Sequence, residues 1–269
     1  MAKVYIGVGH GGTDSGAVAN GIKEKEYNLD VAKSCKDELQ RHGVSVMISR
    51  ESDVTENLSA RIKECNTYNP DFAIDVHHNA GGGDGAEVFH SKKDTKDDAL
   101  AKNILDEIVK IGQNSRGLKT RLLDDGRDYY GFIRQVKCPS ALVECAFIDN
   151  ATDVKIVDTL AERKTMGIAI AKGILKTLGI TYKAATSATS FLPARGYFKK
   201  GDTHENIGKI ASFMRKCFPS YTSEKALGNY YGDNLVKAVK EFQKRTGLEP
   251  DGYFGKLTLA KLKTFGFKE

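Results

Sequence analysis

Apolar positions along the chain recur at two spacings. Short β-rich runs at 4–8, 44–48, 72–76, 86–89 and 141–144 have the length and composition of buried strands. Between and after them, apolar residues fall four apart: Tyr27, Val31, Cys35 and Leu39, then Leu100, Ile104 and Ile108, then Met166, Ile170, Ile174 and Leu178. That spacing predicts helices with one buried face. The first of these helices meets a stop at His42-Gly43. Strands alternating with helices predict βαβ units, an α/β domain with a mainly parallel sheet flanked by helices.

The pattern ends at Gly179. The segment TYKAATSATSFLPA, 181–194, is rich in Thr, Ser and Ala and reads as a linker. Beyond it GYFKKGDT (196–203) is echoed by GYFGKLTL (252–259), Pro250-Asp251-Gly252 reads as a turn, and Asp233 is placed to cap a helix carrying Leu235, Val236, Val239 and Phe242. The expected organisation is a domain over 1–180, a linker over 181–194, and a second, smaller all-α domain over 195–269.

Composition narrows the class. The 269 residues are 40% hydrophobic and 28% charged, with no apolar stretch near the ~20 residues that span a bilayer, so membrane insertion is not expected. The start, MAKVYIGVG, lacks the apolar segment of a secretory signal, which implies synthesis in the cytoplasm. Five scattered cysteines without a C-x-x-C pair argue for free thiols and against a thiolate metal site. The net charge of +6 is uneven, because residue 195 onward holds 15 Lys+Arg against 8 Asp+Glu. The C-terminal part is therefore expected to meet an anionic partner, a nucleic acid or an acidic polymer.

Gly7, Gly9 and Gly12 form G-x-G-x-x-G directly after the first strand. A dinucleotide fingerprint would run into a helix there and show an acidic residue ~20 positions on. Here the chain stays irregular to about Glu24, and position 32 falls in mid-helix. The loop instead presents His10 at the carboxyl end of a strand, where open α/β sheets bind ligands. The third run delivers His77 with His78, the last delivers Glu144, and Glu24 opens the following helix. Two imidazoles and carboxylates meeting on one sheet edge suit a hydrolytic zinc site, with a further carboxylate as base. A strand-end histidine is also commonly structural, and Glu24 among Lys23, Lys25 and Glu26 reads equally as a solvated helix start. Spacing alone leaves both readings open.

Four ordered motifs, GHGGTDSGA, GIKEKEYN, DVHHNA and PSALVECAFIDN, resemble the zinc-dependent N-acetylmuramoyl-L-alanine amidases of the class with a flavodoxin-like or phosphorylase-like α/β fold, over about residues 3–179. The resemblance implies zinc held by His10, Glu24 and His77, with Glu144 as catalytic glutamate. His77 is the matched histidine because it stands two before Asn79; His78, Cys145 and Ala146 depart from the usual residues. Residues 195–265 resemble a three-helix peptidoglycan-binding domain, on Ala238 to Gln243, Gly247-Leu248, Asp251 to Gly255 and Thr258-Leu259, with Phe242, Leu248 and Phe254 expected in its core.

The implied function is a peptidoglycan hydrolase that cleaves between N-acetylmuramic acid and L-alanine. Made without a signal, it would act on the cell wall after release, as a phage endolysin does. The alternatives are a zinc carboxypeptidase or deacetylase on the same polymer, and a nucleic-acid-binding hydrolase, against which stands the lack of a second carboxylate cluster.

Overall fold

The computed structural model describes residues 1–92, 95–184, 191–193 and 195–269. Of the segment read as a linker, 185–190 and 194 lie outside the described residues. The chain divides into two compact units, Met1–Tyr182 and Lys183–Glu269. Among the described residues, no helix is long and apolar enough to cross a membrane.

The first unit is built on a six-stranded sheet. In chain order its elements are β1 (Lys3–Val8), the short hairpin β2 (Val18–Ala19) and β3 (Ile22–Lys23), α1 (Glu24–Arg41), β4 (Ser45–Ile48), α2 (Leu58–Tyr68), β5 (Phe72–Asn79) and β6 (Ala86–His90). They continue as α3 (Thr95–Lys110), β7 (Ser115–Lys119), α4 (Gly131–Gln135), β8 (Ser140–Phe147), α5 (Ala151–Val154) and α6 (Leu160–Thr177). The sheet order is β4-β1-β5-β8-β6-β7. Every pairing is parallel except β6 with β8, so the sheet is mainly parallel, as the alternating pattern predicts.

Strand alternation sorts side chains to two faces. Val4, Ile6 and Val8 of β1 join Ile74 and Val76 of β5 and Val143 of β8 in one core, closed by α1, α3 and α6. Tyr5 and Ala73 face the opposite way and pack with Ile62 and Cys65 of α2 and Phe132 of α4. Three helical stripes read from the sequence lie in the first core, with Val31, Leu39, Leu100, Ile104, Ile170 and Ile174 fully buried.

Two strands run further than the apolar runs indicated. β5 continues through His77 and His78 to Asn79, and β8 continues past Glu144 to Phe147. Glu144 is therefore not delivered at a strand end but sits in mid-strand, in register with His77. The polar residues continue the strands because β5 and β8 go on pairing with each other, His77 with Glu144 and Asn79 with Phe147.

The second unit contains β9 (Tyr197–Phe198), α7 (Glu205–Cys217), α8 (Asp233–Arg245), β10 (Phe254–Gly255) and α9 (Lys256–Lys263). It is helical apart from the two-residue pairing of β9 with β10. Its core gathers Phe198, Ile210, Met214, Leu235, Val239, Phe242 and Phe254, together with Phe191 and Leu192. Asp233 is the first residue of α8, preceded by Gly232 at the cap, and pairs with Lys200 at 2.6 Å.

Candidate functional site

Parity along the strands decides which groups share the cleft. Gly7 and Gly9 alternate with the core residues of β1, and so face the same side as Asp75 and His77 on β5. A Cβ on Gly7 would lie 2.4 Å from the Asp75 carboxylate, and one on Gly9 would lie 2.3 Å from the His77 ring. The first two glycines of the fingerprint-like pattern thus make room for side chains of the neighbouring strand, which answers why they stand two apart.

His10 follows β1 in a left-handed conformation, with φ at 61°. This turns its ring toward Glu24, whose Oε2 lies 3.2 Å from His10 Nε2. Glu24 Oε1 lies 2.9 Å from His77 Nδ1. One ligand atom from each of His10, Glu24 and His77 falls within 4.8 Å of the others, and among the described residues this is the group with that property. Each imidazole is held from behind by a second carboxylate: Asp14 Oδ2 lies 2.8 Å from His10 Nδ1, and Asp75 Oδ2 lies 3.4 Å from His77 Nε2. Asp75 is itself fixed by Arg61, whose Nη1 donates to both of its oxygens at 2.9 and 3.0 Å.

The protonation pattern follows from this packing. Burial opposes ionisation of Glu24, but hydrogen bonds from His10 and His77 outweigh it and hold the carboxyl well below its usual range. Burial likewise opposes charge on both imidazoles, and the adjoining carboxylates raise them nonetheless. An anionic oxygen flanked by two oriented imidazole nitrogens suits a divalent cation with mixed nitrogen and oxygen ligands.

His78 goes to the other face. It is 2% exposed, its Nδ1 lies 2.7 Å from Asn28 Oδ1, and Tyr27 meets its ring edge-on at 5.8 Å. Burial pushes it down to about 4. Its backbone N–H donates to Glu24 Oε1 at 3.1 Å, so its contribution to the cluster is through the main chain.

Glu144 lies across from His77 on β8, and its Oε2 has no hydrogen-bond partner among the described residues. Burial, with Glu24 and Glu87 adding repulsion against the pull of His77, pushes its pKa up to about 7. It lines the same cleft of about 690 Å³ as the His10, Glu24 and His77 cluster, walled on the far side by Leu58, Tyr130 and Phe132. The glycine-rich loop beside it, 81–85, is tethered. Asp149 accepts from the N–H groups of Gly81 and Gly82, and Asp153 accepts from that of Gly85.

Several contributors escaped the sequence reading. Asp14, Arg61 and Asp75 carry no periodic signal. Arg50 is buried, yet it lies outside every motif. It donates through Nη2 to the carbonyls of Gly9 at 3.2 Å and Lys25 at 2.7 Å, tying the His10 loop to the start of α1.

The fold is mixed α/β, a mainly parallel sheet flanked by helices, and its cleft gathers His10, Glu24, His77 and Glu144. The chain belongs to the N-acetylmuramoyl-L-alanine amidase family, whose model matches residues 4–176. Residues 220–262 match a second family, described as a putative peptidoglycan binding domain. The N-acetylmuramoyl-L-alanine amidase CwlM of Bacillus licheniformis is 31% identical over 70% of this chain and 76% of its own length. The endolysin of Bacillus phage SPP1 is 32% identical over 69% of each chain. Among solved structures, the N-acetylmuramoyl-L-alanine amidase AmiC2 of Nostoc punctiforme superposes with a TM-score of 0.60 at 28% identity, covering 66% of this chain and 97% of that one.

Proposed function

We propose that the chain hydrolyses the amide between the lactyl group of N-acetylmuramic acid and the L-alanine of the stem peptide, with zinc held by His10, Glu24 and His77. The observation that carries this reading is the convergence of those three ligand atoms within 4.8 Å, beside the buried, unpartnered Oε2 of Glu144. Zinc, when bound, polarises the scissile carbonyl and lowers the pKa of a water molecule to about 7.

The chain's own residues supply orientation and proton transfer. Asp14 and Asp75 fix the rings of His10 and His77, so that each presents one nitrogen inward. Glu144 takes the proton as water attacks and returns it to the departing amine, a role worth about 10²–10⁴-fold. Its raised pKa suits both halves of that task, because a group near neutrality gives up a proton as readily as it takes one.

In this reading, residues 1–180 carry the chemistry and 195–269 hold the wall polymer, joined through 181–194. The likeness to the phage endolysin supports a lytic role after release from the cell. Mass spectrometry of digested peptidoglycan tests the reaction: free stem peptides with N-terminal alanine are expected. Release of terminal D-alanine or of acetate would instead identify a carboxypeptidase or a deacetylase. Loss of activity on chelation, restored by zinc alone, tests the cofactor.

A further inference from the structure

The motif residues of the second unit are not simply core. Phe242 and Phe254 are fully buried, but Leu248 is only partly so and lines a cleft of about 310 Å³. That volume is at the lower end of the roughly 300–1,000 Å³ of small-molecule sites. The floor of the cleft is a closed polar network around Gln243. Its Nε2 donates to Asp251 Oδ1, to the carbonyl of Tyr253 and to Thr258 Oγ1, and its Oε1 accepts from the Gly252 N–H at 2.9 Å. Gln243, Asp251, Gly252 and Thr258 therefore build a rigid base, and every donor and acceptor of the Gln243 amide is used within it.

What stands above this base is unsatisfied in a different sense. Tyr253 is 47% exposed and Leu257 is 75% exposed, both on the rim. Tyr197 brings its ring centroid within 5.1 Å of that of Tyr253, with the two planes inclined at 45°, so the rings form an angled aromatic corner. The cleft is lined by the charged groups Glu249, Asp251 and Lys256, so its rim is acidic on balance although the unit as a whole is basic. An acidic stem peptide meets repulsion there. A neutral sugar does not: its apolar ring face stacks on an aromatic, and its hydroxyl and amide hydrogens donate to carboxylates.

We propose that this cleft is a saccharide subsite, in which Tyr253 and Tyr197 stack an N-acetylated sugar ring of the glycan strand while Glu249 accepts from its polar edge. The proposal rests on the reading of residues 195–269 as the wall-binding unit, and narrows it to one surface and one ligand class.

The test uses the full chain carrying Glu144→Gln, so that walls are not digested during measurement, with sedimentation of purified walls and titration with chitotetraose as readouts. Adding Tyr253→Ala or Leu257→Ala should weaken wall binding by about tenfold, the scale of an anchor residue, and Tyr253→Phe should keep it. Tyr230→Ala, at an exposed tyrosine that does not line the cleft, should change nothing. Leu257 is too exposed for its truncation to unfold the unit, so loss of binding in that variant reports the cleft and not stability. Chitotetraose should compete for walls in the parent and should shift the resonances of Tyr197 and Tyr253. Unchanged wall affinity in both alanine variants overturns the proposal, and so does competition by a soluble stem peptide but not by chitotetraose. Failure of the underlying reading shows differently: the first unit alone then binds walls as tightly as the full chain.

Discussion

Among the described residues, the Oε2 of Glu144 is a buried carboxylate oxygen with nothing to accept from, and that arrangement carries a cost in stability. Its folded pKa of about 7 exceeds its ordinary 4.5, so the folded chain prefers the protonated form. The stabilising contribution of that preference is complete below pH 4.5 and is lost as pH rises through 7. At one pKa unit per 1.36 kcal/mol, the metal-free protein should lose up to about 3 kcal/mol by this route. Glu144→Gln should therefore melt higher than the parent at pH 8, and near it at pH 4, in thermal scans of metal-free protein. An equal difference at both pH values would mean that the carboxyl is not desolvated as described. The same variant should keep about one zinc per chain, since three protein ligands suffice, while hydrolysis falls by about 10²-fold or more. Loss of zinc along with activity would make Glu144 a ligand.

The adjacent histidines make a second contrast at this scale. His77→Ala removes a nitrogen of the cluster and should abolish zinc binding. His78→Ala should keep zinc, but it strands Asn28 Oδ1 in the core and should cost about 1–3 kcal/mol in a denaturant melt. The opposite metal contents would reverse which ring faces the cleft.

At the scale of elements, the loop after β1 and the start of α1 act as one latch. Arg50 spans the carbonyls of Gly9 and Lys25, while Lys25 Nζ reaches the Gly12 carbonyl and Asp53 Oδ2, both at 2.7 Å. His10 and Glu24 sit at the two sides of this latch, and His77 stands apart on β5. Arg50→Met keeps the apolar stem and removes the donors, leaving the Gly9 carbonyl with Asn28 Nδ2 alone; a loss of about 1–3 kcal/mol is expected, with weaker zinc binding measured by chelator competition. Lys102→Met, which removes only an exposed helical pair with Asp106, should cost about 0.5 kcal/mol or less. Equal effects of the two would dissolve the latch.

The elements that the sequence made legible are those whose burial is local. β1, β4, β5, β6 and β8 announce themselves because short runs are mostly apolar, and α1, α3 and α6 because every fourth residue is. β7 does not: SRGLK is an edge strand with mostly exposed residues, held by pairing to β6 alone. Within the cleft, His10, Glu24, His77 and Glu144 stand out because they sit in ordered motifs that carry a family resemblance, although His77 and Glu144 prove to lie inside their strands. Arg61 and Asp75 do not stand out, because a contact across strand and helix leaves no periodic trace. Nor is the extension of β8 past Glu144 visible: Glu144 reads as the end of its run, whereas Asp75 and Glu87 read as positions inside theirs.

At the scale of the molecule, each unit has a core that closes without the other. The first closes over Val31, Ile104 and Ile170 against the sheet, and Tyr182, the last residue of that unit, stacks on His42 at 5.1 Å between ring centroids. The second closes over Phe198, Phe242 and Phe254. A chain ending at Tyr182 should therefore fold, with a cooperative melt and bound zinc. Tethering is what it lacks. A wall-binding unit joined to a hydrolase raises the local concentration of its polymer, to the order of millimolar for a short flexible tether, without touching the chemistry. The truncated chain should therefore cleave a soluble muropeptide at a rate within about twofold of the full chain, since uniform binding of a remote group does not enter that reaction. On intact walls at low enzyme concentration, its rate should fall by about tenfold or more, and the gap should close as enzyme concentration rises. Turbidity loss of purified walls across an enzyme dilution series reads this directly. A gap that persists unchanged at high concentration would show that residues 183–269 support the catalytic unit itself, and equal rates at every dilution would remove them from wall binding altogether.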